Sequence, residues 1–355
     1  MPLRFPNPGS DMARLVNTFR LVHLGTKAQG EFELDDMSRV MTDGFQASSR
    51  GAVGAAALER STEDDRSRDP LYNQSKMYSE VFRMLGWIRP GVRRLAFRTT
   101  TLGEMVAEDL IHHPDLMSGV FRQSLLGITF PNPNTENVGV ANHRPFRWLL
   151  LVSAELDGVI TRHEMILSLL ATVDDRETGS FDRAVERVRR ARGSRKNLMT
   201  AVTRTAAEMG IQVNTLENYT RFPVGVLKST SIGWATPERV TGLYERPVEA
   251  LRLSPLGLAT SESLRAAVDI READLQAFSL TERAWFANYA HCAMLISAGV
   301  DDPAINEDLS RAARKAEAVL KGLRVAGPGT FLYSPFQQAP NDVLLHAEGV
   351  EADRP

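Results

Sequence analysis

The chain has 355 residues, 43% of them hydrophobic and 24% charged, the balance of an ordinary globular protein. Its net charge of −2 excludes a uniformly basic nucleic-acid coat, so basic residues matter only where they cluster. One cysteine, Cys292, excludes an intrachain disulfide and a cysteine metal cage. No apolar run reaches the roughly 18 residues of a membrane span, and the N-terminus Met1-Pro2-Leu3-Arg4-Phe5-Pro6 lacks an apolar signal core. A cytoplasmic protein with no membrane partner is expected.

Taken in chain order, an irregular lead-in holds one helix around Ala13–Leu24. A second helix starts at Leu34, capped by Asp35 or Asp36, and runs towards Phe45. Ser48–Gly54 reads as a turn into an Ala-rich helix over Ala52–Arg60, followed by a polar loop, Ser61–Asp69. From Leu71 the positions Met77, Tyr78, Val81, Phe82 and Leu85 follow helical spacing. Thr101 before Glu104 has a capping-box pattern, and Pro131–Asn137 reads as a linker. Beyond it come an apolar helix (Phe146–Leu156), a second capping box (Thr161, Glu164), a basic helix (Ser180–Ala191) and a helix capped by Ser194. Two or three helices fill 262–324 before an irregular tail.

One signature recurs. Tyr78–Leu85 ends in Gly86-Trp87-Ile88, and an extended stretch then leads to Thr101-Leu102-Gly103. Ala207-Glu208-Met209 ends in Gly210, and Leu251–Leu253 leads to Ser254-Pro255-Leu256-Gly257. Helix, glycine stop, strand, return strand and a capped helix is the order of a winged helix-turn-helix. The expected fold is therefore mainly α (α+β): tandem winged helix-turn-helix subdomains followed by a helical module. The expected boundaries are 1–130 and 139–261 for the two subdomains, 131–138 for the linker, 262–326 for the helical module and 327–355 for the tail.

Both copies carry arginine clusters. Five arginines and no acid lie between Arg83 and Arg98; eight Arg/Lys against two acids lie between Asp182 and Arg204. A helix in the major groove reads base edges with Arg, Lys, Asn and Gln, while other cations bind phosphates and fix register. Candidate DNA-binding residues are Asn73, Gln74, Lys76, Arg83, Arg93 and Arg94 in the first copy. In the second they are Arg183, Arg187, Arg190, Arg195, Lys196, Thr200, Thr203 and Arg204. Arg183, Arg187 and Arg190 share one helical stripe, suited to a phosphate ridge; the bland alternative is a salt-bridged surface.

Catalytic motifs are absent. None of the lysines (27, 76, 196, 228, 315, 321) has Asp or Glu two positions before it, so the (D/E)xK element of metal-dependent nucleases is missing. There is no Gly-x-x-x-x-Gly-Lys loop and no Gly-x-Ser-x-Gly elbow. Asp69-Pro70-Leu71-Tyr72 comes near the amino-methyltransferase loop but lacks a glycine-rich partner and reads as a helix start. No catalytic residue, metal ligand or cofactor is expected.

The runs Arg144–Val152 and Leu156-Asp157-Gly158-Val159-Ile160-Thr161-Arg162-His163-Glu164, with the basic helix, Gly210 and the 251–256 strand, resemble the recognition region of AlwI-like type IIS restriction and nicking endonucleases. The Met77–Trp87 helix, the Phe97–Leu102 strand and Phe121–Leu126 extend the resemblance over roughly 35–325. It implies a bacterial, nucleoid-associated protein that recognises double-stranded DNA at an asymmetric site. It also implies that the family's C-terminal nuclease domain lies outside this chain. Cleavage, with Mg2+, would then belong to a partner nuclease; a helicase or other effector is the alternative partner. A role in restriction or phage defence follows, against two rivals: a winged-helix transcriptional regulator and a protein–protein scaffold.

Overall fold

The computed structural model describes residues 3–44, 48–49, 52–53, 70–132, 134–135 and 142–333. The fold is mainly helical with small antiparallel sheets. Its residues group into two compact units. A flanking unit is drawn from Ala13–Ser124, Pro133–Thr135 and Ile270–Pro355, and a central unit from Met1–Met12, Leu125–Asn132 and Glu136–Asp269. The 262–326 segment, expected as a module of its own, thus divides, and its helices group with the first half of the chain.

The flanking unit begins with α1 (Met12–Thr26), whose Leu15, Val16, Phe19 and Val22 are buried at helical spacing. Then come α2 (Leu34–Asp43) and a short antiparallel pair, β1 (Ser48–Ser49) with β2 (Ala52–Val53). The expected helix over 52–60 is thus a strand at its start; 54–60 and the 61–69 loop lie outside the described residues. Next are α3 (Pro70–Met84) and an antiparallel hairpin of β3 (Ile88–Pro90) and β4 (Phe97–Thr99). After it come α4 (Thr101–Glu104), which continues as a π turn, and α5 (Pro114–Gly127). Trp87 is the hub of this core, with ring centroids of Phe19, Phe82 and Phe121 at 5.0, 5.7 and 5.7 Å.

The central unit runs α6 (Pro145–Glu155), β5 (Val159–Ile160), α7 (Arg162–Met165, extended by a π turn), α8 (Ser180–Ala191), α9 (Arg195–Met209), α10 (Val213–Tyr219) and α11 (Arg221–Lys228). It ends with β6 (Ala235–Val240), β7 (Val248–Leu253) and α12 (Pro255–Ala266). The strands form one antiparallel sheet in the order β5-β7-β6. Phe146 joins Trp234 at 6.5 Å, Phe222 at 6.1 Å and Phe5 at 6.2 Å. The flanking unit is completed by α13 (Leu280–Ser297), α14 (Pro303–Lys315) and α15 (Glu317–Gly322). Gly119 lies so close to α13's end that a Cβ there would meet the Ala298 carbonyl oxygen at 2.1 Å.

The same local device is built in both units. Gly86 (φ 77°) and Gly233 (φ 69°) turn the chain left-handed, which glycine does without strain, just before Trp87 and Trp234. Thr100 N donates to the Trp87 carbonyl at 3.0 Å, and Ser254 N to the Trp234 carbonyl at 2.9 Å. The Thr100 hydroxyl donates to the Gly86 carbonyl at 2.6 Å, and the Ser254 hydroxyl donates to that of Gly233. Each hydroxyl also caps the next helix, accepting from Gly103 N or Gly257 N at 3.0 Å. A Cβ on Gly103 or Gly257 would sit 2.2 Å from the tryptophan carbonyl oxygen.

The equivalence extends upstream. Phe32 bridges Phe97 antiparallel, as β5 pairs with β7, and both follow a glycine at φ 70°, Gly30 and Gly158. The two repeats therefore run α1–Phe32–α2…α3–β3–β4–α4 and α6–β5–α7…α11–β6–β7–α12. This corrects the sequence pairing: the counterpart of Gly86 is Gly233, not Gly210. Gly210 is a plain left-handed helix stop, with nothing within 4 Å of where its Cβ would be. Within the expected linker 131–138, Pro131 is exposed and Asn132, Asn134 and Thr135 are buried; its other residues lie outside the described residues.

Candidate nucleic-acid interface

The central unit presents a groove of about 380 Å3 between the start of α7, the start of α9 and the β6–β7 hairpin. Arg162, His163, Arg195, Leu198, Arg239 and Pro247 are among its walls. A buried carboxylate holds these walls together. Glu164 is fully buried; its Oε1 accepts from Arg192 Nε at 2.8 Å and from the Tyr244 hydroxyl at 2.7 Å, and its Oε2 from Thr161 N at 2.7 Å. Arg192 Nη2 donates to the Val159 carbonyl at 2.6 Å, and Gly193 N to that of Leu243 at 2.8 Å. One charge thereby ties α7, the end of α8, strand β5 and the hairpin loop. Burial, reinforced by the Glu164 charge, pushes the Tyr244 hydroxyl pKa far up, so the phenol stays a donor.

The start of α9 is capped twice. The Ser194 hydroxyl accepts from Asn197 N at 3.4 Å, and Glu245 accepts from Arg195 N at 2.9 Å. That amide bond holds the Glu245 carboxyl below its usual range. On the groove's flank, Arg162 donates to the Thr220 hydroxyl at 2.7 Å and to the Glu217 carbonyl, and His163 contacts Glu217 Oε1 at 3.0 Å. Arg195 and Arg239 line the groove, and Lys196 and Arg246 are chain neighbours of lining residues. All four are exposed, and none of these side chains forms a salt bridge among the described residues.

The residues expected from the sequence are distributed differently. Arg195, Lys196, Thr200, Thr203 and Arg204 are all exposed on α9, with Arg204 loosely paired to Glu208 at 3.7 Å. The α8 stripe is engaged within the protein: Arg183 meets Glu177 at 2.7 Å and Arg190 meets Glu186 at 2.7 Å. Arg187 is half-buried and donates to the Leu167 carbonyl at 2.7 Å; burial lowers its pKa. Exposed pairs such as those of Arg183 and Arg190 exchange partners cheaply, whereas a half-buried guanidinium on a main-chain carbonyl does not. Arg187 is thus a strut of the helix packing, and the three guanidinium groups do not form one free ridge.

In the flanking unit Arg83 is likewise committed: Nη1 donates to the Asn134 carbonyl at 3.0 Å and the guanidinium lies 5.3 Å from the Phe97 ring centroid. Gln74 Nε2 donates back to the Pro70 carbonyl at 3.2 Å, Asn73 is half-buried and Lys76 is exposed. Arg93 is clamped to Glu31 Oε2 at 3.2 Å, while Arg94 is exposed. Arg162, His163, Arg239 and Arg246 also belong to this surface and are not among the DNA-binding residues expected from the sequence. Arg239 is exposed on β6, and its place in the groove depends on the hairpin lying beside α9, which no local residue pattern marks. Among the described residues no three His, Cys, Asp or Glu converge to hold a metal, and no helix is long and apolar enough to cross a membrane.

No protein-family model matches the chain, and no curated protein matches it. Among solved structures it is similar to the restriction endonuclease FokI, with a TM-score of 0.37 and 12% sequence identity over 89% of this chain. The chain spans 59% of that protein's length. The AlwI-like resemblance rests on the sequence motifs alone.

Proposed function

We propose that the chain binds double-stranded DNA through α9 and the β6–β7 hairpin, each repeat being a winged helix. The observation that carries this reading is the groove edged by Arg195, Lys196, Arg239 and Arg246, four exposed cations whose side chains form no salt bridge among the described residues, with Glu245 beside Arg246 and Glu249 opposite Arg239 as the nearby acids. Surface arginines normally sit near acids, as Arg183, Arg189 and Arg190 do here. Four cations against two acids, none locked in a salt bridge, are suited to phosphates, which release counterions when neutralised. Thr200, Thr203 and Arg204 share the exposed side of α9 and are the groups offered to base edges.

The finer role is that of a reading subunit in a restriction-like or phage-defence system, with cutting done by a separate effector. Its support is the lack of a (D/E)xK or phosphate-loop motif in a sequence that otherwise resembles recognition regions. Fluorescence anisotropy with a mixed-sequence duplex tests the binding. Four phosphate contacts give a log–log salt slope of about −3.6, and Arg195→Ala with Arg239→Ala makes it shallower by about 2. Affinity independent of salt overturns the reading. Incubation of the purified chain with supercoiled plasmid and Mg2+ should leave the plasmid intact; nicking would move the catalytic site into this chain.

A further inference from the structure

The tip of the β3–β4 hairpin departs from what folding alone would select. Val92 is 85% exposed and Leu95 76% exposed, at the ends of a loop that bears Arg93 and Arg94 between them. Leu95 holds φ at 64°, a left-handed conformation that a leucine adopts with strain and a glycine without it. A large apolar side chain is therefore displayed to solvent on a backbone that disfavours it. Strain of this kind persists only where the surrounding structure fixes it, and it clusters at functional sites.

The loop is also held rigid. The Glu31 carboxylate accepts from Val92 N at 2.7 Å and Arg93 N at 3.1 Å, and pairs with Arg93 Nε at 3.2 Å and Arg98 Nε at 3.3 Å. Arg93 Nη2 donates to the Glu31 carbonyl at 2.8 Å, and Gly91 N to the Ala96 carbonyl at 2.7 Å. Glu33 lies 4.0 Å from Arg93 Nη1. Arg93 and Arg98 are taken up by Glu31, and exposed Arg94, between the apolar pair, forms no salt bridge among the described residues. The other repeat does the opposite at its tip: Tyr244 is buried on Glu164 and Leu243 packs on Val159, Val240 and Ala250.

We propose that the β3–β4 tip is a minor-groove wedge, in which Leu95 and Val92 enter between base steps of duplex DNA while Arg94 lies along the groove, so that the bound DNA is bent. Apolar side chains that unstack a step need cationic neighbours to hold the backbone and a rigid base to push from, and this tip supplies both. An apolar protein partner or a second copy of the chain would suit the apolar pair but would leave the charge of Arg94 between them unmatched, whereas a phosphate-lined groove matches it. The inference rests on the DNA-binding reading above.

The test uses the full chain and a duplex of mixed sequence, about two helical turns long, so that its ends lie roughly 70 Å apart, labelled at both ends for energy transfer. Wild type should bind and raise transfer. Leu95→Gly with Val92→Ser should bind on the order of 10-fold more weakly and lose the rise in transfer. The same variant should melt no lower than wild type, since a glycine in place of Leu95 suits the left-handed backbone. If the variant binds and bends like wild type, the wedge is overturned while DNA binding stands. If it loses self-association on a sizing column but bends DNA normally, the tip is a contact between copies and the proposal fails. Wild-type chain that does not bind the duplex overturns the parent reading and the wedge together.

Discussion

The two repeats share one frame and differ in what they hang on it. Both turn at Gly-Trp, return through a hairpin and start the next helix on a hydroxyl cap against the tryptophan carbonyl. The central repeat then draws its hairpin loop inward, with Tyr244 and Arg192 gathered on buried Glu164. The flanking repeat holds its loop out, with Glu31 clamping main-chain amides and leaving Val92 and Leu95 in solvent. The same frame thus supports a groove in one copy and a spike in the other. A carboxylate sets the loop in each case; what differs is whether that carboxylate is buried among side chains or placed at the surface.

The largest expected effect breaks the comparison at its buried end. Glu164→Ala leaves Arg192 and Tyr244 without their shared partner, and removing one member of a buried charged pair costs about 3–5 kcal/mol. Urea denaturation should show it; a change below about 1 kcal/mol would mean that Glu164 does not hold the hairpin. The next tests the shared frame. Gly103→Ala and Gly257→Ala each press a methyl onto a main-chain oxygen and should destabilise by about 1–3 kcal/mol apiece. Similar losses in the two melting curves would support equivalence of the repeats, whereas a silent substitution in one would deny it.

The smallest effect concerns the surface clamp. The Val92 and Arg93 amides, with Arg93 and Arg98, hold the Glu31 carboxyl below its usual range. A lowered folded-state pKa means that the clamp is complete above the ordinary glutamate value of about 4.3 and is lost only as pH falls through the lower folded value. The Val92 and Arg93 amide resonances should therefore titrate with a midpoint below about 4.3. A midpoint at or above it would show that the tip is not held by this carboxylate.

Local features were legible before the structure. The Thr161/Glu164 box, the Ser194 cap and the helices at 70–84, 180–191 and 195–209 follow from residues a few positions apart, whose hydrogen bonds close within one turn. The two Leu-Gly signatures are visible as well, but the local pattern points to Gly210, not Gly233, as the second stop. The error has a physical source: both glycines are left-handed, and only the carbonyl bonds of Trp234 to Ser254, far along the chain, tell the hinge from a plain helix end.

The fate of the arginines shows the same boundary. The sequence by itself determined that cations cluster at 83–98 and 182–204, because composition and helical spacing are local properties. Only the tertiary structure decided which of them are occupied. Arg187 meets the Leu167 carbonyl, Arg83 that of Asn134 and Arg192 the buried Glu164. Every residue carries a carbonyl, so a guanidinium bound to one leaves no mark on the side-chain pattern. For the same reason the exposed set of Arg195, Lys196, Arg239 and Arg246 became visible only when a helix start and a distant hairpin were brought to one groove.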